Sequence, residues 1–355
     1  MKSKAGFFKA CIMVLALLVV CGAAVSAEAA SGPDGKPRYV LGVVLIDMTN
    51  QFFVDMIEGG NRAAEDYGVQ VIWKSADNSQ ENQISLTENF IEQGVDCILV
   101  NPIDNDAMKP TIEKAAAAGI PTVTMAGQVD VDTNYATVYN DLDNTRQIAE
   151  IIGNKIGGAG KVALLYGNKG NLVSDLRQEG FHRGIAKFPG ITVVEQPMNW
   201  DPAEGMKAAQ DIIAANPDLK ALHCVSDAVT IAAYQAIVVA GKQDQILVTS
   251  YDGNPDSCAM VEAGSFYCTL LTGAKKTGYW NVQMGVALAA GARPEEHILN
   301  LDTHLVINEK NIPEFEKMGI EPKRSVITPQ EALGRVEKYR DDIYDPDIMA
   351  VIERS

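Results

Sequence analysis

Two strand-to-helix junctions set the terms on which this chain can fold: Leu41–Gly68, which opens LGVVLIDMTNQFF, and Cys97–Pro121, which opens CILVNPIDNDAMK. In each, an apolar run ends in polar residues that begin an amphipathic helix, the pattern that presents side chains at the carboxyl edge of a parallel sheet. Further strand-like runs are Tyr39–Ile46, Val69–Trp73, Thr122–Met125, Val162–Tyr166, Thr192–Glu195, Ala221–Cys224 and Ile246–Tyr251, with Cys97–Val100 in the second junction. Helical spacing fills the gaps: Phe52, Phe53, Met56, Ile57, Ala63, Ala64 and Tyr67 form one stripe, stopped by Gly68. The alternation occurs twice, so the spacing predicts an α/β chain with two parallel sheets, each wrapped by helices through right-handed crossovers. Asn50 beside Phe52 and Phe53 puts a hydrogen-bonding amide next to two flat apolar faces at the first sheet edge, a combination suited to a compact polyhydroxylated molecule.

The amino terminus reads as an export signal. Lys2, Lys4 and Lys9 precede the apolar stretch Ile12–Val20, and Val25-Ser26-Ala27 supplies small residues for cleavage after Ala27, with Ala30 as the second choice. The apolar stretch is too short to span a bilayer. A lipid anchor at Cys21 would need a better motif than the two valines before it. Removing residues 1–27 takes away three lysines and no acid, so the formal charge goes from −16 to −19. That excess argues against nucleic acid or an anionic membrane as partner. The remaining length, about 328 residues, fits about two domains.

At the level of motifs the chain is specific. The segments TNQFFVDMIEGG, SADNSQENQISLTENFIEQGVDCILVNPIDNDA, LRQEGF, ANPDLKAL, AYQAIVVAGK and TSYDGNPD, in this order between Tyr39 and Glu309, resemble the ribose-binding branch of the bacterial periplasmic sugar-binding proteins. The resemblance implies a periplasmic receptor of an ABC importer, the type I arrangement: two Rossmann-like lobes joined by three hinge strands, closing over one ligand and docking on a membrane permease as a monomer. Mapped on this chain, the first lobe covers 38–139 plus 273–303 and the second 140–272 plus 304–355. The stretch from Pro313 to Ser355 is longer than the family pattern, and its helix-like Thr328–Arg340 is expected to pack on the second lobe.

Pocket residues follow by the same resemblance. Asn50 would bond ligand hydroxyls, and Phe52 or Phe53 would stack on one face of a ring while Trp200 stacks on the other. Ser226 falls where an asparagine is common, Asp252 is the family's strand-end aspartate, and Thr272 replaces a glutamine. Three departures bear on the ligand. Ala126-Gly127-Gln128 stands where ribose-type members have an aspartate and an arginine, Asp175 is read at a second arginine position with Arg177 two residues on, and Asp47 adds a carboxylate. A pocket read with Asp47, Asp175 and Asp252, and without those arginines, disfavours an anionic ligand and makes ribose itself doubtful. A neutral polyol, modified sugar or nucleoside is expected instead, with an amine-bearing sugar as a further option.

Each position also has a plainer use. Phe52 and Phe53 share an apolar stripe, Trp200 precedes a helix start, Asp252 sits in an Asp-Gly turn, and Asp227 is placed to cap a helix. Gly157–Lys161 precedes a strand, so it reads as a helix stop and not as a phosphate loop. The four histidines lack metal-ligand spacing, and no nucleophile, base and oxyanion set assembles, so neither metal, cofactor nor enzyme activity is expected. Cys97 and Cys224 fall in core strands of different lobes, whereas Cys258 and Cys268 flank the turn at Gly264 and are a candidate disulfide. The alternative to transport is a receptor that presents a signalling molecule or nucleoside to a membrane sensor.

Overall fold

A computed structural model describes residues 39–320 and 326–338; the export signal read at residues 1–27 and the last part of the chain lie outside them. The first lobe alternates β1 Val40–Leu45, α1 Gln51–Tyr67, β2 Gln70–Ser75, α2 Gln80–Gln93, β3 Cys97–Val100, α3 Asn105–Ala117, β4 Thr122–Thr124 and β5 Asn134–Val138. The second runs through α4 Asp141–Lys155, β6 Ala159–Tyr166, α5 Leu172–Ile185, β7 Gly190–Pro197, α6 Pro202–Ala215, β8 Leu219–Cys224, α7 Asp227–Val239, β9 Leu247–Thr249, α8 Pro255–Glu262 and β10 Cys268–Leu271. Then α9 Ala274–Ala289 and β11 Ile298–Asn300 return to the first lobe, and β12 His304–Ile307, α10 Ile312–Lys317, β13 Val326–Ile327 and α11 Pro329–Glu337 end in the second.

The first sheet has the order β11-β5-β4-β3-β1-β2 and is parallel throughout; the second, β13-β12-β10-β9-β8-β6-β7, has one antiparallel pairing, β12 on β10. Covered on both faces, β1 and β3 are almost wholly buried, which is why they read as unbroken apolar runs. Five of the helices that follow a strand open on a side-chain cap. Asn50, Ser79, Asp104, Asn171 and Asp201 each accept a hydrogen bond from a backbone N–H of the first turn that follows.

All eight apolar stretches form strands. The sequence reading missed β5, because Asn134 and Thr137 break its apolar pattern; Asn134 is buried yet satisfied, accepting from Thr122 Oγ1 at 2.9 Å and donating to Thr124 Oγ1 at 3.0 Å. The short edge strands β11 and β13 were likewise not foreseen.

The chain passes between the lobes after β5, after β10 and after β11, three connections side by side that permit bending about one axis. The return of α9 depends on close contact with α1. A Cβ on Gly278 would lie 1.8 Å from the Met56 carbonyl oxygen, and one on Gly59 would lie 1.9 Å from that of Lys275, so the helices cross where neither carries a side chain. Beyond the hinge, α11 lies on α8, with Ala332 and Val336 packed among Leu271, Val306 and Ile327 of the second lobe.

The disulfide expectation is overturned: all four described cysteines are free. Cys258 belongs to that small cluster with Leu271 and Val306, while Cys268 belongs to the main second-lobe core with Leu270 and Tyr251. The two thiols serve different packing layers, and burial raises the pKa of both.

Candidate ligand-binding cleft

Between the two carboxyl edges lies a cavity of about 60 Å³, lined from the first lobe by Asn50, Phe52, Phe53, Asn101 and Asn105 and from the second by Asn171, Arg177, Trp200, Ser226 and Asp252. One water occupies roughly 10–15 Å³ on a comparable scale, so the space suits a compact ligand.

The first-lobe face is neutral. Asn50 is the N-cap of α1, its Oδ1 accepting from the Phe52 N–H at 3.0 Å, which leaves its Nδ2 as the group able to donate outward. Phe52 and Phe53 meet edge to face with ring centroids 5.4 Å apart; Phe53 is 8% exposed and belongs to the core, while Phe52 is half-buried. At the end of β3, Asn101 donates to the Met125 carbonyl at 2.7 Å, yet its buried Oδ1 has no partner in the protein. Gln83 steadies that loop by donating to the Asn101 carbonyl and accepting from the Ile103 N–H. A buried acceptor left open in a cleft is a place for a ligand hydroxyl.

The second-lobe face is charged. Arg177, 4% exposed, donates from Nε to Asp141 at 2.8 Å, and from Nη1 to the Val225 carbonyl at 2.6 Å and to Asp252 at 3.4 Å. Its guanidinium lies 3.7 Å from the Tyr251 ring centroid, and the Tyr251 hydroxyl donates to Asp141 at 2.7 Å. Burial pushes the Asp252 carboxyl up to about 7; Arg177 opposes the shift and Asp227 adds to it. Trp200 holds a positive φ of 59° directly after Asn199 at 48°, and its ring rests on the backbone of Gly167, where a Cβ would lie 2.3 Å from Cε2. Its indole N–H is buried without a partner.

Six of the positions singled out in the sequence therefore meet in the cleft: Asn50, Phe52, Phe53, Trp200, Ser226 and Asp252. Four do not line it. Asp47 accepts from the N–H and hydroxyl of Thr49 and serves the turn before α1. Gln128 gives its carbonyl to Asn105 Nδ2 at 2.6 Å. Thr272 braces Asp252 from behind, its N–H and hydroxyl both donating to the Asp252 carbonyl. Asp175 accepts from the Gly170 N–H at 3.2 Å in the first turn of α5. On that helix Val173 and Arg177, four residues apart, share the face toward the cleft, and Asp175 points about half a turn away. An arginine read as lost is thus present. Asp227 is not a cap either: it accepts from Ser250 and Thr269 hydroxyls and the Asn254 N–H, tying three strand ends together, and burial pushes it up to about 6.

Residues 41–293 match the model of the periplasmic binding protein domain. The chain belongs to that family. Among periplasmic binding proteins it is similar to the ribose import binding protein of Bacillus subtilis, 32% identical over 65% of this chain and 75% of the relative. It also resembles the xylitol-binding protein of Mycolicibacterium smegmatis, 27% identical over 81% of this chain and 80% of that one. In structure it is similar to an ABC transporter periplasmic solute binding protein of Actinobacillus succinogenes with bound D-allose, with a TM-score of 0.71, 25% identity, and cover of 78% of this chain and all of the other. This periplasmic binding protein is a solute receptor of the kind that serves ABC importers, and its relatives take sugars and polyols.

Proposed function

We propose that this receptor takes one small, neutral, polyhydroxylated ligand between Phe52 and Trp200 and delivers it to a membrane permease. The observation that carries the reading is the cleft itself, with aromatic rings on opposite lobes and hydrogen-bonding groups around them. Asn50 Nδ2 donates to ligand hydroxyls, Asn101 Oδ1 accepts from one, and Asp252 accepts from one or two. Arg177 does not make the site anion-selective, because Asp141 and Asp252 already balance its charge. Its presence does remove one ground for doubting ribose, so ribose belongs in the same test as the polyols. Residues 1–27 direct export to the periplasm, where the protein acts as a monomer without metal or cofactor. That the proteins it resembles are solute-binding proteins supports reading it as a receptor and not as an enzyme.

The test is a thermal-shift series on the processed chain, refolded from denaturant to strip bound ligand, with ribose, D-allose, xylitol, myo-inositol, a nucleoside and an amino sugar. A ligand that binds only the folded state raises the melting temperature. A rise with a neutral sugar or polyol, confirmed by calorimetry, supports the reading. A rise only with a charged compound would overturn the ligand class.

A further inference from the structure

The lip of the cleft is fastened by two asparagines that reach in opposite directions. Asn105, the first residue of α3 in the first lobe, accepts with Oδ1 from the Leu172 N–H of the second lobe at 2.9 Å, while its Nδ2 holds the Gln128 carbonyl at home. Asn171, the N-cap of α5 in the second lobe, donates with Nδ2 to the Pro102 carbonyl at 2.9 Å and the Ile103 carbonyl at 3.2 Å, both in the first lobe. Its Oδ1 stays on the Ser174 N–H at 3.0 Å. Each amide thus spends one end on its own lobe and the other across the gap.

From this reciprocity we infer that Asn105 and Asn171 form a clasp that holds the lobes shut through protein–protein contacts alone. It rests on the reading of the cleft as a ligand site only for its consequence, not for its existence. Asn171 is 4% exposed, so its hydrogen bonds form away from water. In an open form the Leu172 N–H, the Pro102 carbonyl and both amides return to solvent, so the clasp biases the equilibrium by the surplus of these bonds over hydration. The bias raises the closed fraction of the empty receptor and therefore its apparent affinity, whatever the ligand. Asn105 and Asn171 are in this sense positioning residues for closure.

The measurement is small-angle X-ray scattering on the processed full chain, stripped of ligand by refolding. The parent is compared with Asn105→Ala and with Asn171→Ser, which keeps a neutral oxygen to cap α5 and is too short to reach the Pro102 and Ile103 carbonyls. The expected result is a compact parent and a larger radius of gyration in both variants, with the closed-to-open ratio falling about two- to tenfold per variant. Circular dichroism checks that each variant is folded. An unfolded Asn105→Ala leaves the decision to Asn171→Ser. Equal scattering of folded variant and parent, or a parent already as extended as the variants, overturns the clasp. Since no ligand is added, failure of the ligand class leaves this result intact, and a failed clasp leaves the ligand screen intact.

Discussion

The two faces of the cleft are built on the same plan and from different chemistry. Both are strand ends leading into capped helices, yet the first lobe offers amides and phenylalanines while the second offers Arg177, Asp252 and Trp200 on a preformed support. A neutral face can adapt, since an amide donates or accepts as the ligand requires. A buried ionic face cannot: its geometry is fixed by Asp141, Tyr251 and the Val225 carbonyl before any ligand arrives. The second lobe therefore supplies rigidity and strength, and the first supplies fit.

The sharpest way to break this contrast is Arg177→Met. Two buried carboxylates, Asp141 and Asp252, would lose their common partner, and the unfolding free energy should fall by about 3–5 kcal/mol in urea titrations near pH 8. A loss under about 1 kcal/mol would mean that Arg177 does not hold two buried charges together, and the charged character of the second face would have to be given up.

Next in size are the rings. Trp200→Ala should weaken binding of whichever sugar or polyol the thermal series selects by about 1.5–4 kcal/mol in calorimetry. Gly167→Ala should reproduce much of that loss without removing the tryptophan, because its new Cβ would push the indole ring aside. Phe52→Ala should cost less than Trp200→Ala; the reverse order would move the anchoring role to the first lobe. Smaller again is Asn101→Ala, where the removed Oδ1 was free to accept from ligand, and about 0.5–1.5 kcal/mol of binding should go.

How far the sequence carried these expectations differs between the same two faces. Strand runs and helix stripes were legible because each obeys one period, and Asn50 with Phe52 and Phe53 follows a strand end directly. Trp200 and Asp252 were reached through motif order. Arg177 was missed for a reason of helical phase: a placement two residues early on α5 turns a side chain away from the cleft, and the start of that helix at Asn171 was not read. The roles of Thr272 and Asp227 were hidden for another reason. Each acts through hydrogen bonds to residues distant in sequence, behind Asp252 and across Ser250, Asn254 and Thr269, and no local pattern marks such pairing.

The smallest expected effect concerns pH, and it tests whether Asp252 meets the ligand as a carboxylate. Its folded-state pKa is raised to about 7, so the group takes up a proton as pH falls through that value, well above the ordinary carboxyl range. If ligand hydroxyls donate to it, affinity should be highest near pH 8 and fall by roughly five- to tenfold by pH 5.5, the difference between a charge-assisted and a neutral hydrogen bond. Stability is a poorer readout of the same event. The raised carboxyls Asp227 and Asp252 favour the folded state as pH falls, whereas buried His223, lowered to about 3, stays neutral while its unfolded counterpart takes up a proton below about 6.5. These linkages oppose one another in the same window, so a flat melting temperature would be compatible with a steep affinity profile. The control is Asp252→Asn, which removes the titrating group: its affinity should be low at pH 8 and nearly independent of pH. A profile that survives in Asp252→Asn would assign the pH dependence to Asp227, and would mean that Asp252 does not act by touching the ligand.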